Sequence, residues 1–183
     1  GWVVGASSRI LKTTNGGENW TPQTNLPFPN LSFVHFLDNN TGWVVGEGGK
    51  IIRTTNGGLN WISQTSLTTN VLQSVHFTNS STGWAVGGVG TIIRTTNGGT
   101  SWTPQISGTA NYLFSVHFVD NSTGWAVGGE FPNCKILRTT NGGIIWTNQS
   151  SGTATVLYSV YFADNNTGWV FGNNGTILKT TTG

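Results

Sequence analysis

The string IIRTTNGGLNW at residues 51–61 recurs as ILKTTNGGENW at 10–20, IIRTTNGGTSW at 92–102 and ILRTTNGGIIW at 136–146. A fifth copy begins as ILKTTTG at 177–183. Gly-Trp pairs keep the same beat through Trp2, Trp43, Trp84, Trp125 and Trp169, at intervals of 41, 41, 41 and 44. Units laid over one another from Gly42 and from Gly83 agree at 25 of 41 positions. A period near 40 residues marks one supersecondary unit that buries its faces only against its neighbours, in a stacked or radial array.

Each unit parses into four short strands. In the third, QSVHFTN alternates and reads as strand A, and GWAVG follows after a turn as strand B. TIIRTT reads as strand C, NGG turns the chain, and strand D begins near Trp102. β-branched residues with Gly, Asn and Ser punctuation at this spacing argue for strands, and no helical period competes. Four antiparallel strands repeated every 41 residues predict an all-β fold, a β-propeller. Five blade units are represented, at about 1–24, 31–65, 72–106, 113–150 and 156–183. The first lacks strand A and the last lacks strand D. The expectation is therefore a piece of a longer chain, or self-association into an oligomer or filament through the incomplete blades.

Asn-Gly-Gly supplies residues that tolerate positive φ in a tight C–D turn. The hydroxyls of Thr13, Thr54, Thr95 and Thr139 can reach across that turn, while the Asn side chain bonds its backbone. The tryptophans that follow, Trp20, Trp61, Trp102 and Trp146, are expected in equivalent half-buried positions between blades.

Charged residues make up only 8% of the chain, yet nine Trp and nine Phe argue against disorder. A net charge of +2 is too small for a nucleic-acid footprint. Cys134 is the sole cysteine, which leaves the redox compartment open. No apolar run has membrane-spanning length. The uncharged polar skin points to an extracellular, cell-surface or periplasmic setting. The eight N-x-S/T triplets are a weak glycosylation signal in so Asn- and Thr-rich a chain.

The elements Thr13, Asn15, Gly17 and Trp20 resemble the Asp-box, or BNR, motif S-x-D-x-G-x-x-W, with Asn in place of Asp. Thr54, Asn56, Gly58 and Trp61 repeat it, as do Thr95, Asn97, Gly99 and Trp102, and Thr139, Asn141, Gly143 and Trp146. Together with GWAVGGVGTIIRTTNGGTSW and LYSVYFADNNTGWVFG, the whole chain is similar to the propeller repeats of the photosystem II assembly and stability factor-like family. Such repeats also occur in secreted bacterial proteins. The resemblance implies a propeller with a non-catalytic assembly or binding role.

His35, His76 and His117 share one position of strand A, and Tyr161 takes the fourth place. Packing explains them better than a metal, because no carboxylate is placed to complete a shell. Of the six acidic residues, Asp38, Asp120 and Asp164 repeat in one A–B turn, where Asx-turn chemistry accounts for them. No separate carboxylate pair of the kind a glycosidase needs stands out, so a sialidase-like hydrolase ranks last and no cofactor is expected.

Lys12, Arg53, Arg94, Arg138 and Lys179 give one cation per blade on strand C. They are a candidate surface for acidic partners, against the plainer reading that each stacks on a local tryptophan. Propeller geometry puts the repetitive A–B and C–D turns on one face, and the divergent B–C and D–A loops on the other. A three-residue insertion around Phe131, Pro132, Asn133 and Cys134 is the most distinctive feature of the divergent face, beside LPFPN at 26–30. The expectation is a non-catalytic module binding a protein partner there, with a glycan-binding, lectin-like propeller as the alternative.

Overall fold

The computed structural model describes residues 1–23 and 29–183; the LPF of LPFPN lies outside the described residues. The first sheet is β1 (Trp2–Val4), β2 (Ile10–Lys12) and β3 (Thr21–Pro22). The second is β4 (Leu31–Phe36), β5 (Gly42–Gly46), β6 (Ile51–Thr54) and β7 (Ile62–Gln64). β8 (Leu72–Phe77), β9 (Gly83–Gly87), β10 (Ile92–Thr95) and β11 (Thr103–Gln105) form the third. β12 (Leu113–Phe118), β13 (Gly124–Glu130), β14 (Asn133–Thr139) and β15 (Thr147–Gln149) form the fourth. β16 (Leu157–Phe162), β17 (Gly168–Gly172) and β18 (Ile177–Thr180) form the fifth. Every sheet is an antiparallel meander, the blade of a propeller. Among the described residues the only helical pieces are three single 3-10 turns, and no helix could cross a membrane.

Strands A of successive blades, β4, β8, β12 and β16, touch one another and form the inner rank. The core is divided into layers between blades. Trp43, Val45 and Ile51 of the second blade meet Leu72, Val75, Phe77, Ala85 and Trp102 of the third. The next layer repeats this with Trp84, Val86 and Ile92 against Leu113, Val116, Phe118 and Trp146. The alternation that marks each strand thus sends one set of side chains to each neighbouring blade.

Aromatic rings order these layers. Trp43 stacks on Phe77 at 3.6 Å, Trp84 on Phe118 at 3.5 Å and Trp125 on Phe162 at 3.4 Å. Phe77 then meets Trp102 edge-on at 5.8 Å. The glycine of each Gly-Trp pair has a packing reason. A Cβ on Gly83 would sit 2.6 Å from the Phe77 ring, so the bare backbone is where the phenylalanine lies flat.

The motif tryptophans are not equivalent, which corrects the sequence expectation. Trp61, Trp102 and Trp146 are buried, whereas Trp20 is 40% exposed. The strand D tryptophan faces the preceding blade: Trp61 meets Trp2 of the first blade edge-on at 5.9 Å. Among the described residues no blade precedes the first, so Trp20 has no such partner.

The C–D turns follow the expected chemistry. Thr54 Oγ1 accepts from the Gly58 N–H at 2.9 Å and donates to Asn56 Oδ1, which in turn accepts from the Asn60 N–H at 3.0 Å. Positive φ falls on both glycines, 65° at Gly57 and 83° at Gly58. A Gly57 Cβ would also lie 3.0 Å from the Asn39 carbonyl. Gly57→Val is therefore expected to destabilise by more than about 1 kcal/mol, read as a lowered melting temperature. An unchanged melt would contradict this account of the hairpin.

Candidate functional site

The face carrying the A–B and C–D turns is tied up internally. Asp38 Oδ1 accepts from the N–H groups of Asn40 and Thr41 at 2.6 and 2.7 Å, and those two bonds hold its carboxyl below the usual value. Asp120 and Asp164 make the same pair of bonds, and Asn79 substitutes for them in the third blade. Each A–B turn then grips its own C–D turn, as Gly57 N–H donates to Asn40 O and Gly98 N–H to Ser81 O. On the opposite face, Glu47 of the B–C turn accepts from Asn30 Nδ2 at 3.0 Å.

The cation column lies on the A–B and C–D face, each cation over the tryptophan paired with it across the ladder. Arg53 lies 5.2 Å from the Trp43 ring, its cross-strand neighbour, and Arg94 and Arg138 lie 5.6 Å from Trp84 and Trp125. Lys12 and Lys179 take the same place over Trp2 and Trp169. Lys12 Nζ also donates to Gly57 O of the next blade at 2.8 Å. Trp43 Nε1 and Gln64 Nε2 both donate to Gly98 O, and Trp84 Nε1 donates to Gly142 O. The arginines are half-buried at these joints.

The histidines form a column along the inner strands. Ring centroids lie 4.9 Å apart for His35 and His76 and 4.7 Å for His76 and His117, and Tyr161 follows at 5.0 Å. His35 Nε2 meets Phe77 O at 3.1 Å. Burial pushes all three imidazoles down, His76 to about 3 and His117 to about 4. Neighbouring imidazoles lower His76 and His117 further. No group of ligating side chains with metal-site geometry occurs among the described residues.

The B–C and D–A face keeps one backbone turn in most blades, a 3-10 turn at 47–49, 88–90 and 173–175, but its side chains differ and the fourth blade departs from it. In the second, a groove of about 590 Å³ lies between Gly48–Lys50 and Gln64–Asn70. In the fourth, a groove of about 430 Å³ runs between Pro132–Lys135 and Asn148–Ala154. The insertion there continues the ladder. It lengthens β13 and β14 into a hairpin in which Gly129 pairs with Cys134 and Glu130 with Asn133. Phe131, at the tip, is 77% exposed. Cys134 turns towards the D–A loop, its Sγ 3.0 Å from Ser151 Oγ and 2.8 Å from the Thr153 carbonyl.

A family model described as photosynthesis system II assembly factor YCF48 matches the chain over residues 1–71, 23–106, 63–147 and 105–181. The chain belongs to the YCF48 family. Among solved structures, YCF48 bound to a D1 peptide is 23% identical with a TM-score of 0.75; the match covers 97% of this chain and 58% of that one. YCF48 from Cyanidioschyzon merolae is 19% identical with a TM-score of 0.54, over 98% of this chain and 76% of that one. The GH74 enzyme of Niastella koreensis is 17% identical with a TM-score of 0.79, over 97% of this chain and 33% of that one. Such identities establish the propeller fold. No curated protein matches the chain. The YCF48 repeats thus extend along nearly the whole chain, which spans little more than half the length of the peptide-bound YCF48.

Sequence reasoning missed two residues on the divergent face, Leu67 and Val89. Both are non-glycine residues with positive φ, at 61° and 55°. The signal was available: equivalent positions of other repeats carry glycine, at Gly108 and Gly152 for Leu67 and at Gly48 for Val89.

Proposed function

We propose that the chain is a non-catalytic interaction module that holds a segment of a partner protein on its B–C and D–A face, in an assembly role. The observation that carries this reading is the contrast between the faces. On one, carboxylates, cations and turn hydroxyls are engaged in joining strands and blades. On the other, Leu67, Val89, Ile106 and Phe131 stand exposed and a hairpin protrudes beside a groove of the fourth blade. A groove of about 460 Å³ also lies on the C–D side, between residues 55–60 and 99–100. Membership of the YCF48 family and the D1 peptide bound by a solved relative support a peptide as the partner. The low charge supports a setting outside the cytoplasm.

A fluorescent D1 peptide titrated into the protein tests this. Saturable binding is expected, and cutting the Gly129–Lys135 hairpin back to the four-residue turn of its neighbours should weaken it about tenfold or more at unchanged melting temperature. If binding survives that change but is lost in an Arg53→Gln, Arg94→Gln variant of equal stability, the cation column is the site.

A glycan is the second reading, favoured by three rings at the start of the inner strands. Tyr112 and Phe114 lie 6.0 Å apart and Phe114 and Tyr158 5.2 Å, with both tyrosines exposed. A glycan array separates the two readings, since saccharide binding blocked by free sugar would favour the lectin.

A further inference from the structure

Two apolar side chains stand where the repeat elsewhere places glycine or small polar residues. Leu67 shares its D–A position with Gly108 and Gly152, and all three have positive φ, at 61°, 73° and 66°. Val89 shares its B–C position with Ser7, Gly48 and Asn174, at φ of 55° against 55°, 63° and 55°. In this conformation Cβ crowds the following carbonyl, a cost that glycine avoids and a β-branched residue feels most. Burial does not offset it, because Leu67 is 69% exposed and Val89 61%. Strain that persists without an internal gain directs attention to a partner.

Their loops form one surface. Asn70 Nδ2 donates to Thr91 Oγ1 at 2.8 Å, and Gly88 N–H to Val71 O at 2.9 Å, so the loop of Leu67 is bonded to the turn of Val89. Gly90 N–H donates to Asn111 O, which ties that turn to the loop of Ile106, 85% exposed. Gly129 N–H donates to Tyr112 O and joins the hairpin carrying Phe131 to the same set. Residues 65–71, 87–91 and 105–112 include no Asp, Glu, Lys or Arg. Lys50 borders the groove on the Leu67 side, but these three loops themselves hold no counter-charge for a charged ligand, which would lose hydration on them.

We propose that Leu67, Val89 and Ile106 anchor an uncharged protein segment through its apolar side chains. This rests on the reading of the chain as a peptide-binding module and names the chemistry of the peptide. A protein segment fits better than a bilayer for two reasons. The backbone N–H groups of Leu67 and Val89 have no partner among the described residues, and a peptide offers carbonyls where lipid tails offer none. The three loops also hold none of the clustered basic residues by which peripheral proteins grip anionic headgroups.

Selection of a phage-displayed library of random peptides on the intact chain tests the proposal. Enriched sequences are expected to be rich in apolar and poor in charged residues. Synthetic copies should bind the Leu67→Gly, Val89→Gly variant about tenfold more weakly. The same variant should melt at a higher temperature, because glycine relieves both backbones, and a purely structural role would not couple higher stability to weaker binding. Peptides that keep their affinity for this variant but lose it when the Gly129–Lys135 hairpin is shortened overturn the anchors and leave the module reading intact. Peptides indifferent to both changes, or a library that yields no binder, overturn both. Retention on neutral phosphatidylcholine vesicles, lost in the variant, would make a bilayer the occupant and overturn the proposal.

Discussion

Trp102→Ala is expected to remove roughly 3–5 kcal/mol of stability, while Trp20→Ala, at the same position of the same motif, removes less than about 1 kcal/mol. Trp102 is 1% exposed and lies in a layer with Trp43, Phe77 and Ala85, so truncation opens a cavity between two blades. Trp20 is 40% exposed and leans on the first hairpin, where water already reaches it. A domain of this size holds about 5–15 kcal/mol in total, so the first change should bring the chain near its folding limit. Urea unfolding of the two variants beside the parent measures the difference. Equal losses would show that the tryptophan supports its own hairpin, and would sink the account of blade-to-blade packing.

That contrast shows where the sequence stops being informative. Strand order, the C–D turn and the Asx turns at Asp38, Asp120 and Asp164 were legible because their determinants lie within a few residues of one another. The cation column could have been read further. Counting outward from the B–C turn pairs Trp43 with Arg53 across the ladder, which already places one over the other. The burial of Trp102 and the exposure of Trp20 were not legible, because the motif is identical and only the neighbouring blade differs. The form of the insertion at Phe131–Cys134 was not legible for a related reason. Three extra residues can extend a hairpin or hang as a loop, and the choice follows from whether the ladder continues, as it does through Gly129 and Cys134. On the candidate site, period alone marked the divergent face. The left-handed backbones of Leu67 and Val89 went unread, although the repeats carry glycine at equivalent positions.

Acid should loosen the inner rank well before it reaches the carboxylates. The column His35–His76–His117 ends on Tyr161, and its cross-strand neighbours are Trp43, Trp84, Trp125 and Trp169, so its flanking residues offer no carboxylate to a protonated ring. Unfolded imidazoles take up protons near pH 6.5, but in the fold His76 does so only at about 3 and His117 at about 4. Between those values the unfolded state binds more protons, so stability is full above about pH 6.5 and falls as the pH is lowered. With His117 discounted for its partial exposure, His76 and His117 together should cost on the order of 3–5 kcal/mol by about pH 4, and His35 acts in the same direction. Asp38 and Asp164 have lowered values, so their contribution is lost only below the ordinary carboxylate range and does not enter this window. His76→Phe keeps a flat ring in the stack and removes the central proton acceptor, so its stability should fall less steeply over the same interval. Chemical denaturation from neutral pH to about pH 4 provides the comparison. A parent protein equally stable throughout, or a variant with an undiminished slope, would show that the column opens to water and takes its protons without leaving the fold.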